Sequence, residues 1–140
     1  MTIFPIRRFA AALILAVLFG ADAHAQTCPL VGQSPMLIVQ MFFGQNIEGR
    51  RDVAPAAWRG FLGREVTQRF PDGFTVFDAT GQWRDPKTRT IGREHTKVLE
   101  IATSDTPDMR SKIEDIAARY RTLFHQQSVG IVTMPGCARF

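Results

Sequence analysis

The sequence predicts an α+β domain, a four-stranded antiparallel sheet with two helices on one face. Three observations predict it. Apolar residues recur with strand and helix periods in the order strand, helix, strand, strand, helix, strand. Once an N-terminal export segment is set aside, about 115 residues remain, enough for a single core. Two cysteines, Cys28 and Cys137, flank the first and last strands.

Arg7 and Arg8 precede an apolar run from Phe9 to Phe19, followed by Gly20, Ala21, Asp22, Ala23, His24 and Ala25. A charged start, a short apolar stretch and a small-x-small end describe a cleavable secretory signal over residues 1–25. The run is about half of the roughly 20 apolar residues that span a bilayer. No later segment resembles a span, so none is expected after cleavage. Cys28 follows Ala25, Gln26 and Thr27, with a bulky amide where a lipid-attachment box needs a small residue, so lipidation is not expected. The expected location is exported, periplasmic or secreted. The expected organisation is a signal at 1–25, an N-terminal arm at 26–35 and one domain at 36–140.

Without the signal, 15 basic and 12 acidic residues remain. An excess of three is too small for a nucleic-acid footprint, and no nucleic-acid partner is expected. Cys28 and Cys137 are expected to pair in an oxidising compartment, the alternative being two buried thiols. Their spacing fits no zinc motif and no CxxC is present.

Residues 36–43, MLIVQMFF, are apolar on both alternating faces except at Gln40, as in a central strand covered on both sides. Residues 44–52 read as a loop. Pro55 suits a first helical turn, and Trp58, Phe61, Leu62, Val66 and Phe70 follow at helical spacing until Pro71, Asp72 and Gly73 stop the helix. Gly60 and Gly63 each cost about 1 kcal/mol relative to Ala, which points to close packing on the sheet. Phe74 to Ala79 alternates as a second strand, Thr80 and Gly81 mark a turn or bulge, and Gln82 and Trp83 extend the strand. A third strand covers about Ile91 to Ile101. Asp105 or Thr106 caps a second helix with Pro107 in its first turn and a stripe of Met109, Ile113, Ile116, Tyr120 and Leu123. A last strand, Ser128 to Met134, ends at Pro135 and Gly136.

This order is the split βαβ, or ferredoxin-like, βαββαβ arrangement. Two right-handed crossovers put the first and third strands at the centre. The first strand then starts beside the end of the last, where the two cysteines lie. Both helices cover one face and leave the other open. Ile38 and Phe42 point to one side of the first strand and Leu37, Val39, Met41 and Phe43 to the other, so one apolar row is left for a partner. Homodimerisation through the open face is the leading expectation; a ligand cleft there, or coverage by the arm or a loop, are the alternatives.

The runs Phe42-Phe43-Gly44, Trp58 to Phe61, Val66 to Gly73 with its RFPDG core, Gly81-Gln82-Trp83-Arg84-Asp85, and Arg93 to Leu99 resemble the bacterial exported family catalogued as domain of unknown function 3574. The resemblance covers residues 36–134. It implies an exported single-domain protein with no established activity and therefore no catalytic residue to carry over. Many relatives look like lipoproteins, whereas this sequence has no convincing lipid-attachment box ahead of Cys28.

Arg93, His95 and Lys97 share one face of the third strand by period-two alternation. They form either a solvated basic stripe or a site for a small anionic or polar ligand. Glu94, Thr96, Val98 and Glu100 take the opposite face, with Gln40 and Asp78 joining them according to register. Trp83, flanked by Gln82 and Arg84, either caps the core or stacks on a ligand. His125 suits a helix C-terminus. No metal, cofactor, nucleophile elbow or phosphate loop is indicated. The leading expectation is a non-catalytic interaction module contacting its ligand through Arg93, His95, Lys97 and Trp83. The alternative is a small enzyme with a cleft on the open face.

Overall fold

The computed structural model describes residues 27–47, 51–84 and 86–140. The expected signal at 1–25 and the first residue of the arm lie outside these.

The elements follow the expected order: β1 (Ser34–Gly44), α1 (Pro55–Phe61), β2 (Thr75–Arg84), β3 (Ile91–Thr103), α2 (Pro107–Phe124) and β4 (Gly130–Ala138). The sheet runs β2-β3-β1-β4 with every neighbour antiparallel, the ferredoxin-like arrangement. Pro35 faces Cys137 across β1 and β4, and Cys28 bonds Cys137 with 5.6 Å between their Cα atoms. Loop residues Asn46–Ile47 and Arg51–Asp52 pair as a short ribbon.

Val39, Met41 and Phe43 of β1 and Leu99 and Ile101 of β3 form the helix-side core row. Four aromatics from the helices close over it. Phe43 lies 4.7 Å from Tyr120, 5.4 Å from Trp58 and 5.8 Å from Phe61 between ring centroids, and Phe124 packs on Tyr120 at 4.7 Å. The Tyr120 hydroxyl donates to the Gly44 carbonyl at 2.8 Å and accepts from the buried Gln45 amide at 2.9 Å. Burial pushes the Tyr120 phenol well above its ordinary value; the Gln45 hydrogen bond opposes this and the Glu94 charge adds to it.

Five local expectations are corrected. α1 does not run on as a regular helix: Leu62–Val66 is a π turn, with Thr67 N–H bonding the Leu62 carbonyl, and this keeps Val66 and Phe70 inward beside Trp58 and Phe61. Gly60 and Gly63 do not pack on the sheet. A Cβ on Gly60 would meet the Arg64 guanidinium, and Gly63 opens to solvent, because Trp58, Phe61 and Val66 occupy the inward side. Thr80 and Gly81 form no turn; β2 runs straight through, pairing Gly81 with Glu94. β4 likewise continues through Pro135 and Gly136, as an edge strand can when a proline nitrogen faces away from its only neighbour. Leu123 is 46 % exposed, and Phe124 takes the inward place at the end of α2. Thr106 is the N-cap, its Oγ1 accepting from Met109 N–H at 3.3 Å.

Candidate functional site

Strand alternation and the observed register assign residues to the open face. From β2 come Phe77, Ala79, Gly81 and Trp83; from β3, Glu94, Thr96, Val98 and Glu100. β1 adds Ile38, Gln40, Phe42 and Gly44, and β4 adds Gly130, Val132, Met134 and Gly136. Exposed apolar surface lies along the two edge strands, with Phe77 48 % exposed on β2 and Val132 44 % and Met134 40 % on β4, while Val98 of β3 between them is 8 % exposed. Two polar features interrupt the face. Gln40 Nε2 donates to Glu100 Oε2 at 2.7 Å in mid-face, and near one end Asn46 N–H donates to Glu94 Oε2 at 3.3 Å.

Four glycines make room for their neighbours on this face. A Cβ on Gly44 would sit 2.7 Å from the Glu94 carboxylate, on Gly81 2.9 Å from Thr96 Oγ1, and on Gly92 2.8 Å from the Trp83 ring. Gly136 does the same for Ile38, whereas a Cβ on Gly130 would make only ordinary contact with Phe42 at 3.4 Å. Each of the four lets a neighbour's side chain lie down across the strand.

The residues expected to contact a ligand do not converge. Arg93, His95 and Lys97 lie on the helix side of β3, in the row that continues into Leu99 and Ile101, whereas Trp83 lies on the open face over Gly92. Lys97 is ion-paired with Asp78, which sits opposite it on β2, and Arg93 Nε donates to Gln82 Oε1 at 2.7 Å. Asp78 therefore does not join Glu94 and Glu100, while Gln40 does. The π turn carries a further charged group that sequence reading passed over. Glu65 receives Arg119 of α2 at 3.2 Å and Arg69 at 3.0 Å, and the Arg119 hydrogen bond holds its carboxyl below the usual range. His125 caps α2 in a left-handed conformation, φ 52°.

Among the described residues no three His, Cys, Asp or Glu side chains gather as a metal site, and no helix is long and apolar enough to cross a membrane.

The family described as "Protein of unknown function (DUF3574)" matches residues 39–140, from mid-β1 to Phe140. The chain belongs to this family. Membership bears out the resemblance carried by the RFPDG and GQWRD runs. No curated protein matches the DUF3574 chain. Among solved structures it is similar to a phage SAM lyase in complex with S-methyl-5'-thioadenosine, with a TM-score of 0.56 at 13% identity over 74% of this chain and 90% of that one. A phage SAM lyase in the apo state gives 0.53 at 13% identity, over 76% and 92%. At this identity the likeness is one of fold.

Proposed function

We propose that this DUF3574 domain is an exported interaction module that self-associates through the open face of its sheet. The observation that carries the reading is the apolar side chains left on that face, with Phe77, Val132 and Met134 40 to 48 % exposed. Apolar patches of this kind are usual at association sites. Export is supported by the signal-like residues 1–25 and by the Cys28–Cys137 bond, which an oxidising compartment preserves. Trp83 belongs to this face. An anionic or polar ligand at Arg93, His95 and Lys97 would be a separate contact on the helix side.

Light scattering of the mature chain tests the proposal. The expected mass is that of two chains, falling to one in Phe77→Asp; a one-chain mass across a wide concentration range overturns it.

A second reading, a small enzyme on the same face, draws on the Glu100 carboxylate held by Gln40 amid apolar side chains. The similar lyase that holds S-methyl-5'-thioadenosine adds support. A carboxylate bordered by Phe42 and Phe77 can hold an organic cation. Calorimetric titration with S-adenosylmethionine and S-methyl-5'-thioadenosine tests this reading, and an absence of heat for both rejects it.

A further inference from the structure

We propose that a cleft on the helix side, between the start of α2 and the adjoining rows of β1 and β4, binds a small zwitterion with an apolar side chain, of the α-amino-acid type. The cleft has a volume of about 370 Å³. That is the low end of the range for small-molecule sites, roughly 300–1,000 Å³, and suits an amino acid or dipeptide. It exists because the first turn of α2 does not cover this end of β4: Thr133, in the same row as the core-packed Ile131, is exposed.

Its lining has two parts. Leu37, Ile113 and Ile131 supply an apolar floor, and Asp105, Arg110, Glu114 and Thr133 a polar wall. Arg110 spends only Nε on Asp105, at 2.7 Å; its two terminal nitrogens make no hydrogen bond among the described residues. A guanidinium edge of this kind is suited to a carboxylate. Glu114, one turn on, makes no ion pair among the described residues. The i, i+4 order with the cation first is the less favourable one for mutual pairing, which leaves Glu114 for an ammonium group. Residues so spaced have Cβ atoms about 5–6 Å apart, so one ligand with adjacent ammonium and carboxylate groups can reach both. The nearby Asp108 is committed to Lys112 at 2.9 Å. The site uses no open-face residue and does not depend on self-association.

Calorimetric titration of the mature, disulfide-closed chain with L-leucine is the test, alongside 4-methylpentanoate, which lacks the amine, and isopentylamine, which lacks the carboxylate. Leucine is expected to bind, with each truncated probe weaker by about tenfold or more. Arg110→Gln should weaken leucine and 4-methylpentanoate about tenfold while sparing isopentylamine, and Glu114→Gln should do the converse. Both side chains are at the surface, and an unchanged melting temperature will show that the variants fold. Leucine binding weaker than about 10 mM, or equal binding of all three probes by the variants, overturns the proposal.

Discussion

On one side of the sheet Val39, Met41, Phe43, Leu99 and Ile101 are at most 1% exposed, whereas on the other Phe77, Val132 and Met134 keep 40 to 48 % of their surface. Within β1 the residues of the two faces differ only by the one-residue alternation of a strand, Val39, Met41 and Phe43 on one and Ile38, Gln40 and Phe42 on the other. The helix side is closed by α1 and α2 through an aromatic cluster and a buried Tyr120–Gln45–Gly44 network. Among the described residues no helix covers the open side, where glycines stand beside the side chains of Glu94, Thr96, Trp83 and Ile38. The comparison teaches that the two apolar faces of β1 have different surroundings: one row builds the core under the helices, and the other is the surface on which the proposed self-association rests.

The sharpest way to break this division is on the closed side. Phe43→Ala removes the ring that meets Trp58, Phe61 and Tyr120 and should destabilise the domain by about 3–5 kcal/mol in urea unfolding. A loss under about 1 kcal/mol would mean that the helix side is not the core that its burial implies. Next comes the Cys28–Cys137 bond, which ties residues 109 positions apart. Cys28→Ser with Cys137→Ser should cost about 2–4 kcal/mol, read in the same assay against the oxidised protein, and the oxidised and reduced wild type should differ alike.

Most of this architecture was legible because it depends on periodicity and order. The strand and helix sequence, the two-faced β1 and the placement of the cysteines all follow from local pattern plus the handedness of crossovers. The departures share a cause: they depend on what lies across the strand or helix, which local pattern does not contain. Gly81 looks like a turn until Glu94 is seen across from it, and Pro135 looks like a stop until β4 is known to be an edge. Trp83 and Arg93 fall on opposite faces because the hairpin register pairs Trp83 with Gly92 and Arg93 with Gln82, a parity set by the length of the connecting loop. The cleft of Leu37, Arg110, Glu114 and Thr133 draws on three elements, so no single stretch announces it. Glu65 was hidden for the same reason, since Arg119 reaches it from α2.

That Glu65 cluster gives a smaller effect, again confined to the closed side. Its carboxyl is held below the ordinary value of 4.5, first by the Arg119 hydrogen bond. The stability it contributes is therefore present above the unfolded value and is lost as pH falls through the lower folded value. Glu65→Gln should lower stability near neutrality by no more than about 1 kcal/mol, since Arg119 is largely exposed. It should also flatten the loss of stability that the wild type shows below about pH 4.5. Melting temperatures from pH 7 to 3 measure both, and parallel curves would place the clamp outside the folding equilibrium.

The smallest stability effect is expected on the open face. Val132 and Met134 project from an edge strand into solvent, so Val132→Thr with Met134→Thr removes little burial from the isolated chain and keeps or improves strand preference at both positions. At dilutions where a single chain prevails, unfolding should match the wild type to within about 0.5 kcal/mol. At high concentration, self-association adds stability to the wild type by mass action and should add less to the variant. The two melting temperatures should therefore diverge as concentration rises. A deficit that stays constant with dilution would instead show Val132 and Met134 stabilising the single chain, and the open face would then belong to the fold and not to a partner.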